Sequence, residues 1–286
     1  MMNSRLLRQV RELKKKFIFL FLCCIVLTAC SVPSRIQHSP SYHKERATNL
    51  TPKKEIPNDF FPIDINIVSI GDSLTLGVGD STNRGGYLPY LVKLLNKEKQ
   101  IRNIETSNYG VRGHRSDQLL KRLNREEIQK DIINADAVII TVGGNDVMKV
   151  VREHYLHLKL KYFTEQKIEY ENNLNKIITK IRSLNNDADI YLIGLYNPYS
   201  KWVATLRELD FIIEDWNMSI KKMTNSYDDV YFVEIEDLFN NSKENVLFEK
   251  DYFHPNDRGY ELMAERIFLR FKEETMLNSA EAAGRR

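Results

Sequence analysis

Beyond residue 62, short runs of consecutive apolar residues alternate with longer stretches whose apolar positions recur every three or four residues. The run Ile65-Asn66-Ile67-Val68-Ser69-Ile70 stops at Gly71, as a buried strand would. Further strands are predicted over Ile101 to Ser107, Ala137 to Val142, Ile190 to Leu195 and Val230 to Ile235. Between them, Leu88, Leu91, Leu94 and Leu95 mark a helix over Tyr87 to Lys97. Other helices are predicted over Ser116 to Arg125, Leu206 to Thr224 and Gly259 to Lys272. A helix over Lys167 to Leu184 places Ile168, Leu174, Ile177, Ile178 and Ile181 on one face. Strand followed by helix, five times, predicts an α/β fold with a mostly parallel five-stranded sheet covered on both faces. Ligands of such sheets bind outside the carboxyl ends of the strands, so the loops after the strands are where chemistry is sought.

The first 62 residues do not fit this alternation. Arg5, Arg8, Arg11, Lys14, Lys15 and Lys16 precede an apolar run from Phe17 to Ala29. As a helix that run spans roughly 20 Å, short of a hydrocarbon core of about 30 Å. A basic stretch, a short apolar stretch and small residues at its end describe a secretory signal peptide over 1–29. Its end, Leu27-Thr28-Ala29-Cys30, resembles the lipobox of bacterial lipoproteins, which implies cleavage before Cys30 and lipidation of that cysteine. An uncleaved anchor, or an ordinary signal peptide with a chance cysteine, is the alternative. The only other cysteines, Cys23 and Cys24, lie in the removed part, so the mature domain relies on core packing and not on disulfides. Residues 31–62 are polar and proline-punctuated, a tether between membrane and domain. The domain itself is expected over 63–275, with 276–286 as a frayed tail.

Charge excludes one class of partner. The whole chain carries a formal +3, but without residues 1–29 it has 36 basic against 38 acidic side chains. A near-neutral body gives no electrostatic footprint for nucleic acid.

Three loops after strands hold reactive residue types. Gly71-Asp72-Ser73-Leu74 follows the first strand, where a serine either exposes its hydroxyl to the crevice or caps a helix. Gly143-Gly144-Asn145-Asp146 follows the third; glycines admit close approach and an asparagine amide donates to an oxyanion, or the segment is a turn. In Asp251-Tyr252-Phe253-His254-Pro255 an acid three residues before a histidine can fix its tautomer, leaving the other ring nitrogen as a base, or the histidine is structural.

Together with Asn108-Tyr109-Gly110-Val111-Arg112-Gly113 after the second strand, these blocks resemble the GDSL or SGNH hydrolase family, in order and over about Ile65 to Phe271. The resemblance implies a flavodoxin-like three-layer αβα sandwich and a serine ester hydrolase that needs no metal or organic cofactor. It implies Ser73 as nucleophile, His254 as its general base and Asp251 as the acid that orients the imidazole. The oxyanion donors would be the backbone amides of Ser73 and Gly113 and the side-chain amide of Asn145, with Gly110 serving the turn. Asp72 and Asp146 would hold loops in place, since a carboxylate beside an oxyanion opposes its charge.

The expected substrates are small-molecule or polymer-borne esters: lipid esters, or acetyl groups on cell-wall or capsular sugars. The expected location is outside the cytoplasm, tethered to the membrane by lipid. Acyl transfer to an alcohol, or a non-catalytic ligand-binding lipoprotein on the same fold, are the alternatives. His154 and His157, three apart, would share one face if that segment were helical, but they lack the glutamate of a zinc-protease motif. Residues 148–163 read either as a lid or as a surface helix, and Pro198-Tyr199-Ser200-Lys201-Trp202 as a pocket wall.

Overall fold

A computed structural model describes residues 62–200, 207–240 and 242–276, together with Lys14. The signal peptide, Cys30, the tether, Lys201 and Trp202 therefore lie outside the described residues, as does nearly all of the tail.

Five strands, β1 (Ile63–Gly71), β2 (Ile101–Gly110), β3 (Ala137–Thr141), β4 (Asp189–Ile193) and β5 (Val230–Val233), form one sheet in the order β2-β1-β3-β4-β5, every pair parallel. Their side chains alternate between two cores. Val68, Ile70, Val138, Ile140, Ile190 and Leu192 face one layer, which holds the helices α3 (Ser116–Arg122), α4 (Glu126–Ile133), α5 (Gly144–Glu153), α6 (Leu160–Leu184) and α7 (Arg207–Thr224). Ile65, Ile67, Ala137, Ile139, Tyr191 and Ile193 face the other, built from α2 (Tyr87–Leu95), α8 (Glu236–Asn240) and α9 (Asp257–Phe271). This is the three-layer α/β sandwich expected from the alternation of apolar runs.

The expected elements are present with shifted ends, and some elements were not anticipated. β2 runs on through Asn108 to Gly110, because Tyr109 and Gly110 stay in register with Ile70 and Gly71. The helix expected from Ser116 to Arg125 ends at Arg122, and a second helix that was not anticipated, α4, follows it from Glu126. α6 begins at Leu160, seven residues before its expected start. Ile168 does not join its buried face: Leu174, Ile177, Ile178 and Ile181 are buried, whereas Ile168 is 54% exposed. At 100° per residue, six positions before Leu174 point away from it.

The sheet order places the site. β1 lies beside β3 in the sheet, and the connections that follow these two strands pass to opposite faces, α2 to one layer and α5 and α6 to the other, which opens a crevice at their carboxyl ends. Gly71 closes β1 at φ +153°, and a Cβ there would stand 2.2 Å from the Thr141 carbonyl oxygen of β3. That contact admits only glycine, and it brings the loops after β1 and β3 side by side.

Candidate active site

The chain leaves β1 through Asp72 into α1 (Ser73–Leu76), one helical turn. Asp72, and not Ser73, caps it: the Leu74 N–H donates to Asp72 Oδ1 at 3.0 Å. The serine hydroxyl is therefore free for other use, and the Ser73 N–H belongs to the first turn, which has no intrahelical acceptor. Gly110 of β2 packs against this turn so closely that a Cβ would lie 2.0 Å from the Leu76 nitrogen. The glycine serves a close approach of strand to helix, where the sequence suggested a turn. Asn108 ties the same elements, its amide donating to the Thr75 carbonyl at 2.7 Å.

The histidine arrives from the opposite end of the chain on a stapled loop. Asn256 caps α9 by accepting from the Gly259 N–H, and its amide donates to the carbonyls of Asn245 and Leu247. The Phe248 N–H donates to the His254 carbonyl at 2.8 Å, and Leu247 bridges Pro255. Tyr196, beyond β4, holds the loop from the other side by donating to the Phe253 carbonyl at 2.7 Å.

Within this loop Asp251 divides its two oxygens. Oδ1 accepts the backbone N–H groups of Phe253 and His254 at 3.0 and 3.1 Å; Oδ2 lies 2.7 Å from His254 Nδ1. His254 Nε2 lies 2.8 Å from Ser73 Oγ, across 181 positions of sequence. Both Ser73 and His254 are buried. Partial burial pushes the Asp251 carboxyl up, but the hydrogen bonds from the His254 ring and from two backbone N–H groups outweigh it and hold the carboxyl below its ordinary range. An ionised carboxylate only accepts, so Nδ1 carries the proton and Nε2 offers its lone pair to the serine O–H. The arrangement can take a proton from Ser73 and stabilise the resulting imidazolium.

Ser73 and Asn145 line one crevice with Val142, Gly194, Tyr196, Pro198 and Phe253. Asn145 lies in the first turn of α5, and one of its amide hydrogens is directed to the His114 carbonyl at 3.0 Å. Gly113 precedes His114 in the turn closed by the His114 N–H to the Val111 carbonyl, at φ +78°, with open space where a Cβ would stand. Gly113 is not among the residues lining the crevice, but lies beside the carbonyl that Asn145 engages.

Two further carboxylates stand close by. Asp72 also accepts from the Thr141 hydroxyl at 2.9 Å, and Asp146 accepts from both the Ser116 N–H and hydroxyl, at 3.0 and 2.6 Å. Burial raises each to about 6, against which those hydrogen bonds pull down. Beneath them the buried Arg122 donates to the carbonyls of Gly71 and Tyr109, joining the ends of β1 and β2. Thr141, Ser116, Arg122 and Tyr196 carry no signal in the sequence, because each reads there as an ordinary strand, helix or loop residue. His154 and His157 do not approach this site's groups in the hydrogen-bond network; His154 stacks on Tyr162 with centroids 3.8 Å apart.

A doubly covered parallel sheet with serine, histidine and acid meeting at its carboxyl edge is the architecture of the SGNH hydrolases. The comparison with known proteins agrees: residues 69–262 match the GDSL-like lipase/acylhydrolase family. The chain is 37% identical over 251 residues to the protein YpmR of Bacillus subtilis, covering 87% of this chain and 93% of that one. It is 24% identical over 207 residues to the spore germination lipase LipC of Bacillus licheniformis, covering 71% and 94%. Among solved structures, a lipase from a goat rumen metagenome superposes with a TM-score of 0.63 at 24% identity, covering 71% of this chain and 95% of that one. The acetylxylan esterase Axe2 of Geobacillus stearothermophilus superposes with a TM-score of 0.56 at 21% identity, covering 75% and 96%. The chain belongs to the GDSL-like lipase/acylhydrolase family.

Proposed function

We propose that the chain is a serine carboxylic ester hydrolase in which Ser73 is the nucleophile, His254 the general base and Asp251 the orienting acid. The observation that carries this reading is the continuous path from Asp251 Oδ2 through the imidazole to Ser73 Oγ, at 2.7 and 2.8 Å. A serine hydroxyl is a poor nucleophile at neutral pH, so His254 removes its proton as the oxygen attacks the ester carbonyl. The tetrahedral intermediate places negative charge at the amino end of α1. There the Ser73 N–H, the Gly113 N–H and the second Asn145 amide hydrogen are the proposed donors, each worth about 3 kcal/mol. His254 then protonates the departing alkoxide, and water, activated by the same nitrogen, releases the acid.

The substrate is a lipid ester or an O-acetylated sugar. Val142, Leu195, Tyr196, Pro198 and Phe253 give the crevice an apolar and aromatic wall suited to either. The sequence around Cys30 supports a lipid-anchored protein outside the cytoplasm. Hydrolysis of p-nitrophenyl acetate and p-nitrophenyl laurate, alongside acetate release from acetylated wall polymer, tests the reading. Turnover of one ester class that vanishes in Ser73→Ala supports it; folded protein inactive on all three overturns it.

A further inference from the structure

α5 and α6 form a hairpin on the side where Ser73 opens; Val147, Val150 and Phe163 bury its inner face in the core, and the turn between the helices is exposed. The Tyr170 hydroxyl donates to the Val142 carbonyl just past β3, so Tyr170 marks the level of the strand ends. The ten residues of α6 before it span roughly 15 Å of helix, buried at Phe163 and Gln166 and exposed at Leu160. α5 climbs beside them in the opposite direction. Asn173 and Asp146 share Ser116, Lys149 donates to Gln166 at 2.9 Å, and His154 stacks on Tyr162. The tip between the helices is closed by the His157 N–H to the His154 carbonyl at 2.8 Å.

This tip exposes what a water-facing turn would hide. Tyr155, Leu156 and Leu160 are each 70% exposed and Leu158 44%. Scattered exposed leucines need no explanation, but four large apolar side chains within six residues at one tip do. Around them, from 151 to 162, Arg152, Lys159 and Lys161 face the single acid Glu153. Apolar side chains ringed by cations match an anionic lipid surface, where headgroups take the charge and acyl chains the leucines. Among the described residues no helix is long and apolar enough to cross a membrane, so the contact would be interfacial.

We propose that residues 154–160 dock the domain on an anionic membrane by inserting Tyr155, Leu156, Leu158 and Leu160 between lipid headgroups. On the hydrolase reading this brings the crevice to the interface where lipid esters are presented; that consequence rests on the reading, the docking itself does not. Tyr155→Trp in the full chain reports insertion, taken as the difference from the wild-type chain so that Trp202 and Trp216 cancel. With vesicles of phosphatidylglycerol and brominated phosphatidylcholine, the emission of residue 155 should shift to the blue and be quenched. Adding Leu156→Asp and Leu158→Asp should weaken insertion roughly tenfold per leucine. Omitting phosphatidylglycerol should weaken it about fivefold per unmatched cation. Emission that stays at its water value on every vesicle overturns the proposal, as does quenching untouched by the aspartates. Lipid-independent burial of residue 155 that grows with protein concentration would assign the tip to a second copy of the chain and also overturn it. A soluble short-chain ester, assayed in parallel, should be hydrolysed equally with and without the aspartates, so loss of docking and loss of hydrolysis are read separately.

Discussion

Asp251 and Asp72 are both aspartates beside one crevice, and their surroundings give them opposite work. Asp251 is partly open to water, accepts two backbone N–H groups on one oxygen and a histidine ring on the other, and is held below the ordinary carboxylate range. Asp72 is buried, directs Oδ1 to the Leu74 N–H and the Thr141 hydroxyl, and is pushed up to about 6. The first is poised to face a positive imidazole. The second joins α1 to β3, as Asp146 joins α5 to α3. Hydrogen bonding and burial, not residue type, separate a charge that can assist a reaction from a brace that holds its loops.

The contrast would break most visibly at the residues that Asp251 serves. Ser73→Ala should lower ester hydrolysis by about 10⁴-fold or more with an unchanged melting temperature, and adding His254→Ala should cost little further, because the two act as a unit. Steady-state rates of the single and double variants check this. Asp251→Asn should cost about 10⁴-fold, since an amide can present its N–H to Nδ1 and favour the wrong tautomer. Asp72→Asn should stay within about tenfold of wild type, which is the sharpest form of the comparison.

Much of this site was legible in the chain, and the limits have physical causes. A strand buried on both faces must be apolar throughout, so Ala137 to Ile140 stood out directly. The spacing of Asp251 and His254 was legible because a turn of three residues joins them locally. α4 was missed because it offers only Ile128 and Ile132 to the core and its other apolar residue, Ile133, is exposed. Ile168 was misplaced because apolarity alone does not fix a face when helical phase drifts. Arg122 was invisible: a helical arginine reads as solvent-facing, and only the fold shows it buried beneath the ends of β1 and β2. Arg122→Met should accordingly cost about 1–3 kcal/mol of stability, measured by urea unfolding, by removing the side-chain hydrogen bonds that add to the backbone ladder at the Gly71 and Tyr109 carbonyls.

The smallest effect tests the raised carboxylates. Asp72 binds its proton more tightly folded than unfolded, where its value is about 4. Its contribution is therefore present below pH 4 and is lost as pH rises through about 6, on the order of 2–3 kcal/mol. Asp251, lowered, acts in the opposite sense, contributing above the unfolded value and losing that contribution as pH falls. In Asp72→Asn, whose amide oxygen can keep both acceptor contacts of Oδ1, the decline in unfolding free energy between pH 4 and 6.5 should flatten. A decline as steep as in the wild type would remove Asp72 as its source.

The account stands on the early serine being the group that attacks. Incubating the folded chain with a fluorophosphonate and mapping the adduct by mass spectrometry examines that atom directly. The expected result is one adduct, on the peptide containing Ser73, absent from Ser73→Ala and slowed in His254→Ala. An adduct on any other residue, or none on protein shown to be folded, would contradict it.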